Sequence, residues 1–507
     1  MSVDRAELAA CLAVLARLDD ADLDEATRQE LERAVAAAHR GVKRRAKARR
    51  DAATRAADRA LLAAATRFRT EIPDPAPPDV GITARDAAAP DAGLAAPDAG
   101  LAAHDANLAP HDAGSVARDA DSAAPDADLT AHDAGLGAAG RGTLGRARHC
   151  YVCKRSYRQV DVDYHLMCPP CAAENRERRH ARCELTGRTA VVTGGRVKIG
   201  FHTALKLLRD GADVIVTTRF PRDAARRFAA VPDADDWAGR LYVHGLDLLD
   251  LAGTLDFVAL VGRRFAGLDI LVNNAAQTLH RPAAYHREVR AAESAALEGP
   301  AARIAIGAAP PAAPSAGLPD AFLPAGQLEA FFPAGRVDET GQPLDLREIN
   351  SWVLSDADVS PHEWLQVHVV NAFAPFLLTS RLRPLMQASA HPQRHVVQVS
   401  AMEGSYSRAG KTTRHPHTNM AKASLNMLVR TVAPDYLASG IHMNSVDTGW
   451  VTDERPHPGK AAQRDLGFRP PLDVVDGAAR VYDPIVRGVR GTPVSGQFLK
   501  DYRSVPW

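Results

Sequence analysis

The stretch Thr189-Ala-Val-Val-Thr-Gly-Gly-Arg-Val-Lys-Ile-Gly200 decides how this chain folds. A short apolar run, Ala190 to Val192, breaks into Gly194-Gly195. A helical pattern then carries Ile199, Ala204, Leu205, Leu207 and Leu208. Strand, tight glycine turn and helix make the opening unit of a dinucleotide-binding α/β sheet. The turn needs glycine because the backbone bends sharply and leaves room for a pyrophosphate. The helix N-terminus beyond it offers unpaired N–H groups and a positive dipole end to that anion.

Downstream, strands alternate with helices. Ala212 to Thr218, Leu241 to Leu246, Leu268 to Val272, Val396 to Val399 and His442 to Val446 read as strands. Asp223–Ala229, Leu251–Phe265, Trp364–Arg381 and Met420–Ala438 read as helices. This βαβ rhythm predicts a doubly wound parallel sheet of Rossmann type over residues 183–507. An insertion at about 277–360 interrupts it. The middle of the insertion, Ala308 to Pro319, is Pro/Ala-rich. Its ends carry Phe322, Phe331, Phe332 and Trp352, which suits a lid, a pocket wall or a docking surface.

Upstream lies a different kind of chain. Residues 1–70 carry apolar residues at helical spacing (Leu8, Leu12, Leu15; Leu31, Val35, Ala38) and read as helices with a turn near Asp19–Asp22. The basic run Lys43–Arg50 reads as a solvated helix face, with a nucleic-acid- or partner-binding arm as the alternative. Residues 71–147 read as a disordered low-complexity linker. An Asp-Ala pair recurs every seventh residue from Asp91 to Asp133, but most repeats contain Pro or Gly and at most one large apolar side chain. Too little surface can be buried to offset the entropy of ordering.

Residues 148–182 hold Cys150-Tyr-Val-Cys153 and Cys168-Pro-Pro-Cys171 around a hairpin-length segment. Paired thiolates at this spacing predict a structural zinc ribbon with Cys150, Cys153, Cys168 and Cys171 as ligands. Four sulfurs leave no open position for catalysis. Cys11 and Cys183 read as ordinary thiols, and His149 and His165 as surface or second-sphere residues.

The chain has 507 residues, with 62 Lys and Arg against 61 Asp and Glu. That balance gives no reason to expect nucleic acid or an anionic membrane as a partner. No apolar run approaches a membrane span, and the first residues lack a signal peptide's pattern. The expectation is a cytoplasmic protein.

The downstream half resembles the short-chain dehydrogenase/reductase superfamily. The matching pieces are Thr193-Gly194…Ile199-Gly200, Asp247-Leu248, Asn273-Asn274-Ala275-Ala276, Asn371, Lys422 and Asn444-Ser-Val-Asp-Thr-Gly-Trp450. The resemblance implies an NAD(P)-dependent oxidoreductase acting on a small molecule, commonly as a dimer or tetramer. It implies that Gly194, Gly195, Ile199 and Gly200 wrap the pyrophosphate. Asp247 and Leu248 would face adenine, Asn274 and Ala275 would lie beside the ribose, and Thr448 and Gly449 near the nicotinamide. Lys198 stands where the family has its middle glycine, and its ammonium is expected to pair with the phosphates. The second strand ends in Thr217-Thr218-Arg219-Phe220-Pro221-Arg222, without the acidic residue that selects NAD. Hydroxyls and guanidinium groups suit a 2′-phosphate, so NADP is expected over NAD.

The catalytic pattern departs from the family. Lys422 and Asn371 match, but Thr418 stands at the Tyr position and Ala401 at the Ser position. A Thr hydroxyl is far less acidic than a phenol. Tyr406, His415 and His417 are the nearby candidates to replace it. Two readings follow. One is an NADP(H)-dependent oxidoreductase with an altered acid/base group. The other is a catalytically silent NADP(H)-binding protein whose zinc ribbon and N-terminal helices recruit a protein partner.

Overall fold

The computed structural model describes residues 4–16, 24–65, 140–307, 328–338, 341–408 and 410–507. The turn near Asp19–Asp22, the linker up to residue 139, Phe322 and the Pro/Ala-rich middle of the insertion lie outside them.

The Thr189–Thr193 run forms strand β3 at the heart of a nine-stranded sheet. Hairpin strands β1 (Gly140–His149) and β2 (Ser156–Asp161) precede it. The other sheet strands are β4 (Asp213–Thr218), β5 (Leu241–Gly245), β6 (Ile270–Asn273), β7 (Ala305–Gly307), β8 (Arg394–Ser400), β9 (Ile441–Asp447), β10 (Phe498–Lys500) and β11 (Arg503–Val505). Their order is β11-β10-β9-β8-β6-β3-β4-β5-β7, and every pairing is parallel except β10 with β11. The doubly wound sheet is therefore present. The chain leaves β3 toward β4 on one side and later returns to β6 on the other. That reversal opens a crevice at the carboxyl ends of the strands, where ligands bind in this architecture.

Strand alternation divides the core. Ala190, Val192, Val214 and Val216 point to one face; Val191, Ile215 and Leu271 point to the other. Helices cover both faces. Helix Leu251–Arg264 buries Phe257 and Val261, each worth roughly 1.5–3 kcal/mol in transfer terms.

Three expectations change. Residues 140–147, assigned from composition to the linker, form most of β1, whose backbone pairs with β2. The helix expected over Trp364–Arg381 starts earlier at Pro361 and carries a π-helical turn, Val369–Phe373, before continuing as Ala374–Gln387. The insertion adds an edge strand, β7, beside β5. Its three residues show no alternation that sequence could reveal.

Upstream, helix Arg5–Ala16 is exposed throughout. Helix Glu25–Ala64 is 40 residues long and docks its last turns on the hairpin. Asp58 accepts the backbone N–H groups of Gly145 and Arg146 at 2.7 and 3.1 Å.

Candidate active site

The glycine turn is held from both sides. Gly194 and Gly195 donate their N–H groups to Thr217 O at 2.9 and 3.1 Å. Asn274 Nδ2 donates to Thr193 O and Gly194 O at 3.0 and 3.2 Å. A Cβ on Gly200 would lie 2.3 Å from Gly194 O, so only glycine fits there. Helix Lys198–Arg209 follows with no side chain capping its first turn, which leaves N–H groups for an anion.

This turn opens on one cleft of about 2030 Å³. That exceeds the ~300–1,000 Å³ of ordinary ligand pockets and leaves room for a dinucleotide and a substrate. Of the residues expected at the cofactor or the reacting centre, Gly195, Arg222, Tyr406 and His417 do not line it; the others do. Gly195 sits behind the turn, against Val216.

Lys198 departs from expectation. It takes the left-handed backbone region at φ +53°, the conformation of the glycine it replaces. Its ammonium lies 3.6 Å from the Glu454 carboxylate, so phosphate would have to compete with Glu454 for it. Glu454 is raised by burial, but Lys198, Lys460 and Arg281 outweigh that and hold it at about 2.

At the end of β4 stands a group of arginines. Arg196 is committed to Asp223 at 2.7 Å and to Gln342 at 2.8 Å. Arg219 and Arg290 face the cleft with no ion pair to a described carboxylate. Arg219 Nη2 lies 3.3 Å from His286 Nε2. Burial and the surrounding guanidinium groups push His286 down to about 2, so it is neutral and accepts. Arg222, read as a second phosphate ligand, does not reach the cleft. Its guanidinium donates to the carbonyls of Glu293 and Ala295 at 2.7 and 3.2 Å. The insertion's backbone has captured it.

At the opposite end, Lys422 Nζ donates to Val399 O at 2.8 Å. Burial pushes this ammonium down to about 8. Thr418 donates to His415 O at 2.9 Å, and His415 Nδ1 lies 3.1 Å from the Thr418 hydroxyl. His415 is stacked on Trp352, with ring centroids 4.1 Å apart. Of the three substitutes weighed for the missing phenol, only His415 lines the cleft. Tyr406 is 77% exposed and outside it. His417 is buried with its Nε2 3.2 Å from Glu363. Asn371, inside the π-helical turn, is bonded through both side-chain atoms to the Gln277 backbone, at 2.6 and 3.0 Å. It pins the start of the insertion to the cleft wall.

The four cysteines converge. Their Sγ atoms all lie within 4.8 Å of one another, and Cys153 Sγ is 3.6 Å from Cys168 Sγ. A tetrahedron with Zn–S of ~2.3 Å has edges of about 3.8 Å, so the cage fits a zinc ion. Hydrogen bonding to Cys150 pushes the Cys168 thiol up to about 11. The hairpin, expected between the two Cys pairs, is placed differently. β1 and β2 flank the first Cys pair, and the second pair opens helix Pro169–Arg179. Pro169 and Pro170 favour that helix start by pre-setting φ. His165, read as a surface or second-sphere residue, is buried.

Sequence reasoning missed Arg290, Tyr151 and Lys154 as cleft residues. Tyr151 lies inside a Cys pair whose spacing names zinc and not a nucleotide, and Arg290 and Lys154 lie in no ligand motif.

The family model described as short chain dehydrogenase matches residues 188–295. A second, described as enoyl-(acyl carrier protein) reductase, matches residues 353–464. An uncharacterized protein of Acanthamoeba polyphaga mimivirus is 32% identical over 356 residues, covering 67% of this chain and 71% of that one. The chain belongs to the short-chain dehydrogenase/reductase superfamily. Carbonyl reductase (NADPH) 1 of Sus scrofa is 37% identical over 102 residues, 20% of this chain and 34% of that one. (+)-Neomenthol dehydrogenase of Capsicum annuum is 34% identical over 89 residues, 17% of this chain and 28% of its own. These two oxidoreductases thus match over about a third of their own length. Among solved structures, NADPH-bound carbonyl reductase from chicken fatty liver is 18% identical with a TM-score of 0.40, covering 64% of this chain and 100% of that one. Among the described residues, no helix is long and apolar enough to cross a membrane.

Proposed function

We propose that this short-chain dehydrogenase/reductase is an NADP(H)-dependent oxidoreductase that interconverts a carbonyl compound and its alcohol, with Lys422 as the acid/base group. The observation that carries the reading is one cleft holding the glycine turn, two arginines without an ion pair to a described carboxylate, and a lysine depressed toward neutral pH. When bound, the dinucleotide supplies or accepts the hydride. Gly194 to Gly200 cradle its pyrophosphate, with the uncapped N–H groups of the following helix as donors. Arg219 and Arg290 take the 2′-phosphate, a charge-assisted contact that NAD lacks. Asp247 and Leu248 wall the adenine, Asn274 and Ala275 the ribose, and Thr448 and Gly449 the nicotinamide.

Thr418 and Ala401 are smaller than the Tyr and Ser they replace. That leaves the Lys422 ammonium open toward the substrate. An ammonium has three N–H donors, and Val399 O accepts one. A second donates a proton to the carbonyl oxygen as the carbon receives hydride, and the neutral amine regains a proton from water. An acid with pKa about 8 is well matched to that task near neutral pH. Asn371 keeps the insertion against the site. Zinc in the four-cysteine cage, with four sulfur ligands, takes no part in the chemistry.

The test is calorimetry with NADPH and NADH on zinc-loaded protein, followed by NADPH consumption over a carbonyl panel. The reading expects NADPH to bind more tightly and to be consumed. Tight binding without any turnover would favour the silent, partner-recruiting alternative. Against that alternative, Arg178 and Arg179 of the helix that the second Cys pair opens bond inward to Asp483 and Asp473, at 2.8 and 2.6 Å.

A further inference from the structure

The four-cysteine module shares a core with the cleft. Cys150, Tyr164, Met167, Cys168 and Cys171 pack with Val451 and Leu472, and Ile199 of the glycine turn lies against them. Buried polar contacts lock the join. Tyr164 donates to Asp476 Oδ1 at 2.8 Å, and Arg480 Nη2 donates to Asn175 Oδ1 at 2.8 Å.

Within the first Cys pair, Tyr151 leaves the cage and enters the cleft wall beside Lys154. Its hydroxyl accepts the Trp450 N–H at 2.9 Å. It also closes on Gly449, where a Cβ would sit 3.2 Å from the Tyr151 hydroxyl oxygen. Gly449 and Trp450 therefore rest on a side chain that belongs to the metal module, beside the hold of Asp447 on the Gly449 N–H at 2.8 Å. Tyr151 itself is held by its N–H on Leu166 O at 2.7 Å and by the neighbouring Cys150 turn.

We propose that Tyr151 is a positioning residue for the dinucleotide, and that metal in the four-cysteine cage and dinucleotide in the cleft bind cooperatively through it. The proposal rests on the dinucleotide reading above and assigns a further task to the same site. Without metal, four close sulfurs have nothing to hold them and the Cys150–Cys153 turn relaxes. Trp450 N–H then loses its acceptor, and the Thr448–Val451 segment is no longer preset for the ligand. Binding must then restore that order, which weakens affinity. Linkage requires the reverse effect in equal measure: bound dinucleotide tightens the hold on metal.

The experiment uses the full chain, wild type and Tyr151→Phe, each zinc-loaded and chelator-stripped. NADPH affinity is read by fluorescence titration and zinc retention by competition with a chelator. The expected result is a loss of NADPH affinity on stripping of about 5- to 150-fold, the usual span of such coupling. NADPH should strengthen zinc retention by the same factor. Tyr151→Phe should keep its zinc and its circular dichroism, bind NADPH several-fold more weakly, and show little coupling. Unchanged affinity in zinc-loaded Tyr151→Phe, or zinc retention indifferent to NADPH in the wild type, would overturn the proposal. If stripped protein unfolds, the zinc-loaded variant alone decides. If zinc-loaded wild type binds no dinucleotide, the functional reading fails first; if it binds and the variant equals it, only this inference fails.

Discussion

Lys422 Nζ and Val399 O lie 2.8 Å apart, so the ammonium is anchored to the strand beside the cleft rather than to a tyrosine. Burial lowers its pKa to about 8. Lowering means that the neutral amine gains population as pH rises through 8. Reduction, which needs the ammonium, should therefore decline above about pH 8. Alcohol oxidation, which needs the amine, should rise over the same range. Lys422→Met should lower kcat by roughly 10²–10⁴ and abolish that inflection. A pH–rate profile of both directions checks this.

Arg219 should govern the choice of dinucleotide. Arg219→Ala removes a charge-assisted contact of about 1.5–3 kcal/mol from NADPH and nothing comparable from NADH. The expected result is a loss of about ten- to a hundredfold in NADPH affinity with NADH little changed. Arg290→Ala should act in the same direction, whereas Arg222→Ala should alter stability without altering the NADPH to NADH ratio. Parallel titrations of the three variants separate these outcomes.

Glu454 should confer stability that acid removes. Its folded pKa, about 2, lies below the ordinary carboxyl value, with Lys198 the first of the cations holding it there. A depressed carboxylate stabilises the fold above its unfolded pKa and loses that contribution as pH falls through the folded one. The difference in unfolding free energy between wild type and Glu454→Gln should be on the order of 2–3 kcal/mol at neutral pH. It should shrink between about pH 5 and pH 2. Denaturant titrations across that range measure it.

Gly200→Ala should damage the turn. Its Cβ would meet Gly194 O at 2.3 Å and Asn274 Nδ2 at 2.4 Å, both fixed by the sheet. Overpacking of this kind costs about 1–3 kcal/mol. Melting temperature and NADPH affinity should fall together, and a variant that binds NADPH as well as wild type would contradict the cradle.

Much of the fold was readable because it is local. Val191 and Val192 alternate between sheet faces within one strand, and Gly194 and Gly200 mark a bend that only their missing side chains permit. The Cys150 and Cys168 pairs announced a four-sulfur cluster by spacing alone. The cage's architecture did not follow from spacing, because pairing 140–149 with Ser156–Asp161 is a backbone register in a composition that looks like linker.

The sequence by itself determined the parallel sheet, the glycine turn at its crevice and the cluster of four cysteines. Each depends on residue type at short range. Only the tertiary structure decided the partners: Glu454 against Lys198, Glu293 and Ala295 carbonyls against Arg222, Arg290 beside Arg219, and Tyr151 under Trp450. These contacts join residues up to 299 positions apart. No periodicity or motif encodes such pairs, because the free energy of each is set by burial and by which segments the folded core brings together.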